Sequence, residues 1–240
     1  MSAGVFTAAA VAGLPEPVAR YFRRVLPEGQ TYLAAAELLQ EGEFLLGAGP
    51  RGWRPFRARQ RFRARPPGFV WEARIRLAPC VPICVRDAYE RGMGAMRARL
   101  LGVFPVVNQT GRPELNAGAL QRFLAEAVWF PTALLPDQGV TWEGLDEGTA
   151  RAALTDSGTT AGLQFRFNEA GDVVEIFTPG RYREVKGGYV PTPWTVRCLE
   201  YGEHHGIRIP VYCEVEWGLP EGPRPYWRGR LTAVTYEHTG

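Results

Sequence analysis

The residues able to do chemistry in this chain are few and widely spaced. Three histidines, four cysteines and a single lysine, Lys186, are set among 240 residues. No Gly-x-Ser-x-Gly elbow presents a serine nucleophile, and no His-Glu-x-x-His pair presents a zinc site. Lys186 lacks the glycines that a phosphate loop needs before it, and Gly92-Met93-Gly94 lacks the third glycine of a dinucleotide turn. His204 and His205 lie between Gly202 and Gly206, which reads as a hairpin loop. Neighbours on a strand point to opposite faces, so the pair is poorly placed to share one metal. Cys80 and Cys84 have neither Cys-x-x-Cys spacing nor a matching second pair. With Cys198 and Cys213 they are expected as buried free thiols. The expectation is no catalytic set, no metal and no cofactor.

Three polar residues occupy positions that chemistry could use. Gln60 falls between Ala58 and Phe62 on the apolar face of an alternating segment. A buried amide needs partners, so Gln60 is either a structural hydrogen bonder or a polar anchor in a ligand cavity. Asp87 alternates with Val85 and Tyr89 and would turn inward, as an ion pair with arginine or as an acid or base. Glu126 sits in a helical stretch and could also reach inward, but no second carboxylate marks a glycosidase pair. The tryptophans Trp53, Trp71, Trp129, Trp142, Trp194, Trp217 and Trp227 either fill a core or wall a cavity. A ligand site is expected at Gln60, Trp71, Tyr89, Trp129 and Trp194.

Strands must position these side chains. Phe56 to Ala64 alternates strictly, with Arg57, Arg59, Arg61, Arg63 and Arg65 opposed to Phe56, Ala58, Gln60, Phe62 and Ala64. After Pro66-Pro67-Gly68, the run Phe69 to Leu77 alternates again, which predicts an antiparallel hairpin. A break centred between the two prolines sets Phe62 opposite Trp71, Gln60 opposite Ala73 and Arg61 opposite Glu72. Further strands are expected at Ile83 to Tyr89, Ala95 to Val106, Thr149 to Asp156, Thr160 to Asn168, Asp172 to Thr178, Ile207 to Trp217 and Tyr226 to Glu237. Glu214 and Glu216 are candidate outer-face partners of Arg228 and Arg230. Two segments have helical spacing, Leu14 to Leu26 and Glu114 to Leu135, the second kinked or ended near Phe130 by Pro131. The expected fold class is α+β and mainly antiparallel β. The pattern is a long antiparallel meander with an N-terminal helix and a central helix. One domain is expected over residues 1–240, with residues 1–13 poorly ordered or loosely packed.

Composition bounds the function classes. There are 28 basic and 25 acidic residues, and 45% of the chain is hydrophobic. This excludes a disordered chain and a collagen-like repeat, and a charge of +3 does not call for nucleic acid. The arginine stripe at 57–65 has its aromatics on the opposite face, so it forms no base-stacking platform. Met1 to Gly13 has no basic start, and no apolar stretch is long enough for a membrane-spanning helix. A cytoplasmic location is expected.

Several strings resemble an uncharacterised bacterial family, a domain of unknown function. They are Trp53-x-Pro55-Phe56-x-Ala58-x-Gln60, Pro67-Gly68-Phe69-x-Trp71-x-Ala73 and Asp87-x-Tyr89-x-x-Gly92-x-Gly94-x-Met96. Phe123-Leu124-Ala125-Glu126-x-x-Trp129-x-Pro131-Thr132-Ala133-Leu134, Arg181-Tyr182-Arg183 and Pro193-Trp194 complete the set, and the likeness as a whole extends from about Leu14 to Tyr236. The order of elements also resembles the lipoprotein-carrier fold of LolA and LolB, a curved antiparallel half-barrel around helices that holds acyl chains. That resemblance implies a curved sheet or half-barrel meander with the N-terminal helix and the central helix packed on its concave face, and non-catalytic binding of a hydrophobic or acyl-type ligand between sheet and helices. The partner would be a lipid or a hydrophobic small molecule, with no nucleic acid involved. The alternative is a structural or protein-interaction domain with a filled core. An enzyme acting through Asp87, Glu126 or His204 would need those groups together in one cleft.

Overall fold

The structure, a computed structural model, describes residues 4–47 and 49–240. Strands β1 (Leu33–Leu45), β2 (Trp53–Arg63), β3 (Gly68–Ala78), β4 (Val81–Glu90), β5 (Met93–Leu100) and β6 (Phe104–Thr110) form a first meander. A second contains β7 (Val140–Gly144), β8 (Thr149–Asp156), β9 (Thr159–Phe167), β10 (Val173–Val185), β11 (Gly188–His204), β12 (Ile207–Leu219) and β13 (Gly222–His238). All belong to one sheet ordered β6-β5-β4-β3-β2-β1-β13-β12-β11-β10-β9-β8-β7. The first and last strands therefore pair in the middle, and β6 and β7 are the edges.

Helix α1 (Glu16–Val25) precedes the sheet, and α2 (Pro113–Glu126) starts the connection from one edge to the other. Single helical turns at Ala127–Trp129, Pro131–Leu134 and Pro136–Gln138 continue that connection. Because it joins opposite edges, it must cross a face of the sheet. The two wings of the sheet roll toward it. Tyr89 Oη of β4 donates to Asp156 of β8 at 2.7 Å, and Gln109 of β6 bonds Glu184 and Tyr189 of the other wing at 2.6 Å. The face under α2 is thus concave, and the fold is α+β with a curved antiparallel sheet. No helix among the described residues is long and apolar enough to cross a membrane.

Local sequence explains most elements. Along β2 the arginines are exposed while Phe56, Ala58, Gln60 and Phe62 are buried. The hairpin closes one residue earlier than expected, so Gln60 pairs with Trp71, Phe62 with Phe69 and Arg59 with Glu72. The shift is two residues, which preserves both faces. Ala95 to Val106 is not one strand. Leu101 and Gly102 adopt positive φ values of 55° and 76°, and the chain reverses there. On β12 the outer pairing also differs. An irregularity between Val215 and Glu216 sets Glu216 opposite Pro225. Glu216 then accepts from Arg197 at 2.7 Å, Arg230 donates to Glu200 at 2.6 Å, and Arg228 donates to Glu43 of β1 at 2.9 Å.

Helix α1 buries Val18, Tyr21, Phe22 and Val25, with Tyr21 5.7 Å from Phe167 and Phe22 6.4 Å from Trp142 between ring centres. The loose packing expected for residues 1–13 does not hold where they are described. Phe6 and Val11 are buried, and Tyr32 N–H donates to Gly4 O at 2.8 Å. Residues 1–3 lie outside the described residues. In α2, a Cβ built on Gly118 meets nothing nearer than the Arg181 guanidinium at 3.9 Å, an ordinary contact. Gly118→Ala is therefore expected to stabilise the fold by about 1 kcal/mol through helix propensity. Thermal unfolding checks this, and a lowered midpoint would contradict it.

Candidate functional site

Alternation and register set Gln60, Trp71 and Asp87 side by side across β2, β3 and β4 on the concave face. Helix α2 lies over that row and presents Arg122 and Glu126, one turn apart. Arg122 Nη1 donates to Asp87 Oδ2 at 2.6 Å and its Nε to Glu126 Oε1 at 2.8 Å. Gln60 Nε2 donates to Glu126 Oε2 at 2.7 Å, and Gln40 Nε2 to Gln60 Oε1 at 3.2 Å. Trp71 Nε1 completes the chain by donating to Gln40 Oε1 at 2.8 Å. The Arg122 guanidinium also lies 4.9 Å from the Phe69 ring centre and 5.2 Å from that of Trp71.

Burial raises the Glu126 carboxyl above the usual range, against the lowering influence of Arg122 and Gln60. Burial pulls Arg122 down, but the two carboxylates more than reverse this and hold it as a cation. Both acids are engaged as acceptors by that one guanidinium, so the arrangement anchors charge rather than shuttling a proton. The side chains of Arg122, Asp87 and Glu126 keep 15, 10 and 16% exposure.

Beneath the helix the space is filled by Leu120, Phe123 and Trp71, all at most 3% exposed. Beyond it, Phe44, Val215, Trp217 and Tyr226 are only partly buried. Trp217 and Tyr226 stack at 5.6 Å, Phe44 meets Tyr226 edge-on at 5.8 Å, and Trp194 Nε1 donates to Tyr226 Oη at 2.9 Å. Arg181 of β10 lies 4.5 Å above the Trp194 ring. Arg181 Nη1 and Arg183 Nε are buried without a hydrogen-bond partner among the described residues. Burial, aided by the Arg122 charge, holds the Arg181 pKa below its ordinary value. Surface hollows of about 460, 760 and 830 Å³ open elsewhere, at the β3–β4 turn, on the outer face of β2–β5 and beside the start of α1.

The sequence-derived candidates divide accordingly. Gln60 and Trp71 belong to the polar chain, and Trp194 to the aromatic wall. Tyr89 is fully buried, and Trp129 donates to Pro210 O at 3.0 Å and packs 6.3 Å from Phe62. Asp87 and Glu126 converge on Arg122, whereas His204 ends β11 at its hairpin. Cys198 and Cys213 are buried free thiols with Sγ atoms 3.9 Å apart, but Cys80 is exposed because it sits in the β3–β4 turn, and Cys84 is half-buried. Sequence reasoning missed Arg122 and Arg181. The first could have been found as the i, i+4 partner of Glu126 amid the buried Leu120, Phe123 and Leu124.

A family model described as "Family of unknown function (DUF6544)" matches residues 4–229. No curated protein matches the chain. Among solved structures, the chain is similar to a LolA superfamily protein, NE2245 from Nitrosomonas europaea. The TM-score is 0.45 at 10% identity, over 95% of this chain and 96% of that one. It is also similar to a DUF1329 family protein from Desulfovibrio piger, with a TM-score of 0.42 at 11% identity, over 85% and 86% of the two chains.

Proposed function

The chain belongs to this family of unknown function, DUF6544, and we propose that it binds a hydrophobic, acyl-type ligand without catalysis in a cleft on the concave face beside α2. The observation that carries the proposal is the half-open aromatic wall of Phe44, Trp217 and Tyr226, set beside the Arg181 guanidinium, which lies 6.0 Å from the Trp217 ring centre and whose Nη1 is buried without a partner among the described residues. A hydrocarbon chain laid on that wall removes apolar surface from water at about 25 cal/mol per Å². An anionic head group supplies the acceptor that Arg181 Nη1 needs, as a charge-assisted hydrogen bond. In this reading Trp194 is part of the wall, Gln60 and Trp71 form the polar floor, and Tyr89 and Trp129 support the cleft from the core.

The test is native mass spectrometry of gently purified protein, then of protein incubated with palmitic acid. A bound lipid or fatty acid is expected, and Trp217→Ala should weaken palmitate binding by about tenfold or more, given roughly 1.5–3 kcal/mol for burying a large apolar side chain. Absence of both co-purified lipid and palmitate binding would overturn the proposal. The second reading, an interaction domain with a filled core, draws on the complete packing beneath α2. A stable dimer that carries no lipid would favour it.

A further inference from the structure

We propose that the β5–β6 hairpin and the adjoining outer face of β3–β5 dock the protein on an anionic phospholipid bilayer. This surface is separate from the cleft. Leu101, Val103, Phe104 and Val106 at the hairpin are 47, 69, 60 and 60% exposed, an apolar cluster at the free edge of the sheet. Leu101 holds a positive φ of 55°, a conformation that leucine rarely adopts, in the turn that projects the cluster.

Behind the hairpin the outer face is strongly basic. In register across β2–β5 stand Arg57, Arg74, Cys84 and Arg99, and beside them Arg59, Glu72, Arg86 and Arg97. Arg57 thus directly faces Arg74, and Arg86 faces Arg97. Like charges opposed across strands are destabilising unless an anion lies between them or over them. Acids in the fold serve only part of this field. Arg57 pairs with Glu41, Arg59 with Glu37, Arg61 with Glu72 and Arg86 with Glu90. Among the described residues, Arg74, Arg76, Arg97 and Arg99 have no carboxylate partner within 4.0 Å. The arginines on β2–β5 line a groove of about 760 Å³ that also reaches Gly102 of the hairpin turn.

A cationic field bordered by exposed aliphatic side chains fits a membrane interface, where arginines meet lipid phosphates and the apolar tip enters the acyl boundary. A nucleic acid would use the same charge, but the hairpin has one exposed aromatic ring, Phe104, and so offers no stacking platform.

Co-sedimentation of the purified chain tests this, using vesicles of phosphatidylcholine alone and of phosphatidylcholine with phosphatidylglycerol in equal parts. Binding is expected only to the anionic vesicles, and it should weaken as salt is raised. Arg74→Gln and Arg99→Gln are expected each to lower partitioning about fivefold. Val103→Asn with Phe104→Asn should lower it as well, and all four positions are exposed, so folding is retained. Equal sedimentation with both vesicle types, or binding unchanged in the arginine variants, would overturn the proposal. So would retention on single-stranded DNA at low salt without vesicle binding.

Discussion

Replacing Arg122 with methionine is expected to destabilise the protein by about 3–5 kcal/mol, the cost of leaving buried carboxylates without their cation. Arg122 bridges Asp87 on β4 and Glu126 on α2, at 2.6 and 2.8 Å. Its loss also removes the cation that lies over Phe69 and Trp71. The effect should depend on pH in a definite sense. The folded-state pKa of Glu126 is raised above its unfolded value, roughly 4.3, chiefly by burial. Between those two values the native state holds a proton that the unfolded chain has released. Stability is therefore greatest below the unfolded value and falls as pH rises through the folded one. Without Arg122 the folded value moves higher still, so the deficit should grow from acid toward neutral pH. Urea unfolding at about pH 5 and about pH 8 reads this directly. Glu126→Gln in the Arg122→Met background should recover part of the loss, since it removes one stranded charge and keeps an acceptor for Gln60. A deficit that is the same at both pH values would show that the carboxylates are not the seat of the cost.

Phe62→Ala is expected to cost a similar amount, about 3–5 kcal/mol, for a different reason. The Phe62 ring is 2% exposed and lies 4.7 Å from Phe130, 6.2 Å from Phe69 and 6.3 Å from Trp129. It is the point where β2 meets the helical turns that follow α2, so truncation opens a cavity that rigid neighbours cannot fill. Phe104→Ala, at the exposed hairpin, should stay within about 0.5 kcal/mol of the parent. Denaturant midpoints of the two variants, at unchanged slope, test the contrast. Equal losses would mean that the β5–β6 hairpin is packed in solution, which would also count against membrane docking.

Much of the candidate site was legible one strand at a time. Alternation in β2 and β3 placed Gln60 and Trp71 on the buried face, and alternation in β4 turned Asp87 inward. Less was legible about partners. The Pro66-Pro67 turn can be centred in two ways that preserve both faces, so Gln60 was set opposite Ala73 rather than Trp71. Strand β11 went unread because Pro191 and Pro193 interrupt its pattern, yet it carries Trp194 and pairs with strands on both sides. Arg181 stood in a motif with nothing in its surroundings to mark it as buried.

The division follows from the range of the forces involved. Face, period and the ends of helices depend on backbone geometry among near neighbours, so the amino-acid order alone determined an antiparallel meander with two helices and inward-facing polar groups. The meeting of Arg122 with Asp87 and the packing of Trp217 and Phe44 against Tyr226 join residues from separate strands and a crossing helix. Only the rolling of the sheet, which brings β4 to β8 and β6 to β10 and β11, decided those contacts.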